Sequence, residues 1–148
     1  MNITIDLTGI EGIRAQFAKL GNAPAQALAI TAEKVEDYVQ SQIGRHAKTG
    51  NLERSLGKAR IPGGWEVGHD SRVAPYARFV HDGTRPHLIF PREDGGKKAL
   101  RWAGGGLFHF AKVVRHPGNR PDKWMERAAQ QAPIIFRAEI ERLLAQRT

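Results

Sequence analysis

The side chains able to do chemistry are few in kind. The chain has six histidines and no cysteine. His81, His87, His109 and His116 fall in stretches that read as strands or turns, and Asp82 and Asp122 could complete a metal set with them. No spacing of the H-E-x-x-H kind puts two of these ligands on one face of an element, so strand histidines are the expected reading and no metal is assigned. The serines are Ser41, Ser55 and Ser71, and none lies in a G-x-S-x-G elbow that would expose a nucleophile. Glu93 and Asp94 are neighbours in a Gly-rich loop, without the set spacing of an acid/base pair. Gly95-Gly96-Lys97-Lys98 and Gly104-Gly105-Gly106 resemble phosphate loops only on the surface. A phosphate loop opens directly into a helix, so that amides and dipole converge on the anion, and here the flanks read as strands. These patterns imply no catalytic residue and no cofactor.

The cations carry more. Arg72, Arg78, Arg85, Arg92, Lys97, Lys98, Arg101, Lys112, Arg115 and Arg120 interleave with Tyr76, Phe79, Phe90, Trp102, Phe108 and Phe110. Basic side chains beside aromatics on a sheet can hold a phosphate backbone and stack bases. The same rings are needed for the sheet's own core, and that is the expected use. Two Gly/Pro turns, Gly83-Thr84-Arg85-Pro86-His87 and His116-Pro117-Gly118-Asn119-Arg120-Pro121, each carry Arg and His. Rigid turns of this kind suit contacts with a neighbouring subunit or an anion; a plain turn between strands is the simpler alternative.

These residues need elements to position them. Ile3, Ile5 and Leu7 alternate with Asn2, Thr4 and Asp6, the period of a half-buried strand. Thr8 and Glu11 form a capping-box pattern before a short amphipathic helix through Ile10, Ile13, Phe17 and Leu20, ended by Gly21. Asn22 can cap a longer helix with Pro24 in its first turn. Leu28, Ala32, Val35, Val39 and Ile43 are its apolar stripe, and Gly44 stops it. Thr49 can cap one more turn to Leu56. From Gly57 to Pro121 short apolar stretches alternate with turn signals, which reads as antiparallel strands. They are Ala59–Ile61 and Trp65–Val67 around Pro62-Gly63-Gly64, then Tyr76–His81, Leu88–Phe90, Ala99–Ala103 and Leu107–Arg115. Glu93 to Gly96 is a loop, and Gly104 to Gly106 closes a hairpin. Asp122 can cap a last helix with Trp124, Ala128, Ala132, Ile135, Ile140, Leu143 and Leu144 on its apolar face. Pro133 should kink or split it, because proline removes a backbone donor and clashes with the preceding turn.

The expected fold is one α+β domain over residues 1–148: strand and helices over 1–56, antiparallel strands over 57–121, and a C-terminal helix over 122–148. At 148 residues the chain can bury a real core without disulfides. The absence of cysteine excludes a disulfide scaffold and thiolate-ligated zinc or iron–sulfur centres. Neither a signal-peptide pattern nor an apolar run near the ~20 residues of a membrane helix is present, so a soluble protein made in a cytoplasm is expected. The net charge of +8 is concentrated. Residues 1–50 sum to zero, 51–123 carry fourteen basic and seven acidic side chains, and 124–148 carry four and three. A charge so localised suits a polyanion or an acidic protein surface, or else a solvated face.

Several of these segments together resemble one family. They are Thr49 to Leu56, Tyr76 to His87, Lys98 to Trp102, His116 to Pro121 and Trp124 to Ala128. Their order and spacing are similar to the neck and tail-completion (minor tail component) proteins of lambdoid and related long-tailed bacteriophages, over roughly residues 45–130. The chain departs from that pattern at His81-Asp82, where the family often has an acidic and an aromatic residue, and at Lys123-Trp124-Met125, where it often has Pro-Phe-Leu. The resemblance implies a non-enzymatic virion protein at the head–tail junction. It implies a ring of identical subunits, a hexamer being favoured, between head-completion and tail-tube proteins, with genomic DNA in the lumen and no membrane. Arg78, His81, Asp82, Thr84, Arg85, His87, Arg101, Arg115, His116 and Arg120 are the subunit or DNA contacts that follow. Two other readings stand beside it: a small RNA-cleaving toxin-like enzyme using Tyr76, Arg78, His81 and Arg85, and a nucleic-acid-binding module whose affinity falls steeply with salt.

Overall fold

A computed structural model describes residues 1–6, 20–46, 49–92, 96 and 98–146. The short helix expected from Ile10 to Leu20, with its Thr8 cap, falls almost wholly outside them, as does most of the Glu93–Gly96 loop. The class is α+β, as expected. Among the described residues the elements run β1 (Asn2–Asp6), α1 (Ala23–Ile43), a 3-10 turn (Gly44–His46), α2 (Asn51–Ser55), β2 (Leu56–Ile61), β3 (Gly64–His69), α3 (Ala77–Asp82), β4 (His87–Ile89), β5 (Leu100–Gly104), β6 (Leu107–Ala111), β7 (Val114–His116) and α4 (Trp124–Ala145).

The strands form three separate antiparallel sheets rather than one: β1-β3-β2, β4-β7 and β5-β6. The expected Leu107–Arg115 strand is therefore two strands with different partners, β6 on β5 and β7 on β4. The hairpin around Pro62-Gly63 is as read, with Ile61 opposite Gly64 and Arg60 opposite Trp65. Residue 63 sits at φ +80°, a conformation that only glycine adopts without strain.

The core lies between α1, α4 and the three-stranded sheet. Leu28, Ala32, Val35, Val39 and Ile43 are all buried, so the stripe at helical spacing does what its period demands. It meets Trp124, Met125, Ala128 and Ala132 of α4, and Ile3, Ile5 and Val67 of the sheet. Each large aliphatic side chain so buried contributes roughly 1.5–3 kcal/mol before entropy is subtracted. Lys34 and Glu139 close the far end of the helix pair at 2.5 Å.

Four local expectations are corrected. Tyr76–His81 is not a strand: Ala77–Asp82 is helical, with Ala77 and His81, one turn apart, facing the core. α2 starts at Gly50, in the left-handed region at φ +71°, and not at a Thr49 cap; Gly50 accepts the first helical bond from Arg54. Neither Asn22 nor Asp122 caps through its side chain. Finally, α4 runs unbroken through Pro133. Pro133 and Ala129 are both exposed, so the carbonyl left without a donor can meet water. Packing on both sides of Pro133, by Ala132 before it and by Ile135 and Phe136 after it, helps keep the segment helical, so the proline does not split it.

Candidate functional site

Two groupings of polar side chains emerge, and they differ in kind. The first surrounds Trp124, which is fully buried at the start of α4. Three imidazoles approach its ring: His81 edge-on at 4.9 Å, His46 at 5.8 Å and His69 edge-on at 5.9 Å between centroids. The Trp124 indole N–H donates to His69 Nε2 at 3.2 Å. That makes Nε2 the acceptor and leaves the ring proton on Nδ1, 2.8 Å from Ser55 Oγ. Ser55 in turn donates to the Leu52 carbonyl at 2.7 Å. Burial pushes the His69 imidazole down to about 4. Although a serine hydroxyl lies beside a histidine, the serine is buried, its proton is committed to a carbonyl, and an indole stands where a triad needs a carboxylate.

His81 and Asp122 carry the rest of this hub. His81 is 1% exposed. Its Nδ1 lies 2.6 Å from Asp82, and its Nε2 lies 2.7 Å from Glu126 and 3.3 Å from the Met125 amide. Ligand atoms of His81, Asp82 and Glu126 fall within 4.8 Å of one another, a spacing that could hold a cation. The carboxylates sit against opposite nitrogens of the ring, however, and the Lys123 ammonium already spans them at 2.9 and 3.1 Å. Lys123 first, then His81, holds the Asp82 carboxyl down to about 2. Asp122 is partly buried, which pushes its carboxyl up, but bonds from His46, Arg127 and Arg45 outweigh this and hold it well below the ordinary range. The hub thus joins the end of α1, β3, α3 and α4.

The second grouping is a surface. The Gly83–His87 and His116–Pro121 turns meet: Thr84 and Asn119 exchange backbone bonds of 3.0 and 3.2 Å, and Asn119 also donates to Thr84 Oγ1. Gly118 lies at φ +85°, and a Cβ there would collide with the Thr84 carbonyl. Beyond this clasp β4 pairs with β7, placing His87 opposite His116 with ring centroids 5.0 Å apart. β5 and β6 pack chiefly on each other and stand away from the core. On their two-stranded ribbon, Arg101, Ala103, Phe108 and Phe110 share one face, and Leu100, Trp102, Leu107 and His109 share the other. The Arg101 guanidinium lies 3.9 Å over the Phe108 ring, and Trp102 stacks on His109 at 5.5 Å.

Of the ten contact residues expected, Arg85, His87, Arg101, Arg115 and Arg120 are exposed on this surface, with Thr84 and His116 partly covered at its base. Arg78 is exposed on α3, over Phe79, and Asp82, at the end of α3, is exposed but tied to His81 and Lys123 in the hub. His81 is the correction: it belongs to the buried hub and offers no surface, so it joins no site with Tyr76, Arg78 and Arg85 as they stand. The hub residues His46, Ser55 and His69 were not singled out from the sequence. Their partners lie 76, 14 and 55 positions away, beyond any local pattern.

Among the described residues, Arg85, Arg92, Lys98, Arg101, Lys112, Arg115 and Arg120 form no ion pair, and Leu88, Phe90, Trp102, Leu107, Phe108, Phe110 and Val113 are 43–71% exposed. An open cleft of about 700 Å³ separates the chain after β4 from the ribbon. Among the described residues no helix is long and apolar enough to cross a membrane. Comparison with protein-family models, with curated proteins and with solved structures gives no match to this chain.

Proposed function

We propose that this chain is a non-enzymatic structural protein of a long-tailed phage virion, placed at the head–tail junction, where copies form a ring that completes the tail and joins it to the head. The observation that carries this reading is the ribbon surface, where seven cations form no ion pair among the described residues and large apolar side chains are left in water. A monomer's largest apolar patch is typically a few hundred Å². Seven side chains of this size, about half exposed and spread over both faces of the β5–β6 ribbon and the segments beside it, amount to roughly 500–700 Å² in all, enough for more than one contact with neighbours. A surface of that composition is built to be covered. Head-to-tail contacts repeated under cyclic symmetry close into rings, and a ring suits a conduit for DNA. The ordered likeness of segments from Thr49 to Ala128 to neck and tail-completion proteins points the same way. The test is electron microscopy of particles from a phage or prophage with this reading frame deleted. Filled heads beside unattached or misfinished tails are expected; joined, infectious virions would overturn the assignment.

A further inference from the structure

We propose that the cleft between the segment after β4 and the β5–β6 ribbon is a binding site for a single nucleic-acid strand, with Arg92, Lys98 and Arg101 taking phosphates and Phe90 and Phe110 taking bases. This inference does not rest on the neck assignment, because it concerns what the isolated chain binds.

Four observations carry it. The five residues line one open cleft of about 700 Å³, roomy enough for a nucleotide unit by the ordinary scale of ligand sites. Its three cations make no ion pair among the described residues, whereas most cations of the helical body do, as in Lys34–Glu139, Arg72–Asp70 and Arg127–Asp122. Its two rings stay in water, Phe90 at 60% and Phe110 at 67% exposure. Finally, the segment from Arg85 to Arg120 contains eight basic residues and only two acidic ones, Glu93 and Asp94.

Charge complementarity selects the occupant. A second copy of this chain also carries +8, so a neighbouring copy that covers the rest of this surface would still leave the three cleft cations unanswered. A polyanion answers them, and release of its counterions drives the association. The exposed rings narrow the choice further. Bases within a duplex already stack on one another, whereas an unpaired strand offers its faces to aromatic side chains, and each such stack is sequence-tolerant. Arg101 and Phe110 are opposite in the ribbon register and both line the cleft, the guanidinium lying over the adjacent Phe108 ring, so a cation and a ring share one cleft wall.

The test is fluorescence anisotropy with the purified full-length chain and a labelled oligothymidylate of about 12 nucleotides, a length within the site size of small single-strand platforms. Binding should weaken with salt at a log–log slope of about −2, the value for three phosphates on a single strand. The R92A/K98A/R101A variant should bring that slope close to zero. The F90A/F110A variant should weaken the single strand roughly tenfold or more while leaving a duplex of the same length unchanged. Removing three body cations (R72A/R137A/R142A) should leave binding as it was. All of these side chains are exposed or nearly so, and urea midpoints matched to the parent would show that the variants remain folded. Four results overturn the inference: no binding at low salt, F90A/F110A binding like the parent, equal loss from the body variant, or displacement by polyglutamate as effective as by unlabelled oligothymidylate. The last would assign the cleft to an acidic protein surface instead. None of the four would touch the neck assignment, which is judged on virions.

Discussion

The body around α1 and α4 and the ribbons from Thr84 to Asn119 follow opposite rules within one chain. In the body, apolar stripes are buried and most charges are answered: Trp124 is surrounded by imidazoles, and Asp122 accepts from three cationic or imidazole donors. In the ribbons, Leu107 is 71% exposed and Phe110 67%, and the arginines have no carboxylate partner among the described residues. The backbone differs likewise. β1, β2 and β3 pack on α1, while β5 and β6 chiefly hold each other. A two-stranded hairpin alone is marginal in water. One region therefore supplies folding free energy, and the other leaves its large side chains in water.

If so, substitutions should separate by region. The largest effect belongs to Trp124→Ala, which empties the centre of the hub and leaves the His69 acceptor unpaired. A loss of about 3–5 kcal/mol is expected by urea unfolding, enough to threaten the fold. Asp122→Ala comes next, with a loss of about 2 kcal/mol, since it removes one carboxylate from three donors that meet there. A loss under ~0.5 kcal/mol in the same assay, the usual range for plain surface sites, would show the hub to be ornament.

A smaller effect depends on pH. The folded chain holds His69 at about 4, against 6.5 for a free imidazole. The unfolded chain thus binds the proton more tightly. The stabilising contribution is complete above about pH 6.5, falls as pH drops towards 4, and changes little below that. His69 is only partly buried, so after allowance for solvent screening the loss is about 1–2 kcal/mol. Comparing urea midpoints at neutral and mildly acid pH for the parent and for His69→Gln checks it; an identical decline in both would place the pH dependence elsewhere. Asp82 and Asp122 lie below the ordinary carboxylate value, so their contributions are lost only further down, as pH falls below about 4.

The two regions were not equally legible in the sequence. α1 was, because five apolar residues at helical spacing outweigh local noise. So were the β2–β3 and β5–β6 hairpins, whose glycines mark the turns. α3 was misread because six residues give too little length to tell period two from period 3.6. The decisive pair, Ala77 and His81, is recognisable only once burial is known. The hub was illegible for a different reason. It is assembled from His46, His69, His81 and Trp124, which no spacing rule links, and its histidines resemble any others. Most of the expected contact residues do gather on one surface, since the turns that carry them are clasped through Thr84 and Asn119. His81 and Asp82 are exceptions: His81 sits on the inner face of α3, and Asp82 is tied to it and to Lys123.

The smallest expected effect on stability is also the sharpest test of the contrast. Arg85, Arg101 and Arg120 are exposed and form no ion pair among the described residues, so R85E/R101E/R120E should change the urea midpoint by no more than ~0.5 kcal/mol in stability. On the proposed neck role, the same reversal should nevertheless block complementation of a deletion phage, because three like charges facing the proposed acidic or nucleic-acid partner would each cost binding where none cost folding. A folded variant that fails to restore infectivity would place the purpose of the ribbons outside the subunit. A variant that both folds and complements would mean these arginines are only a solvated face, and the assembly surface would then have to be sought in the apolar ribbon faces alone.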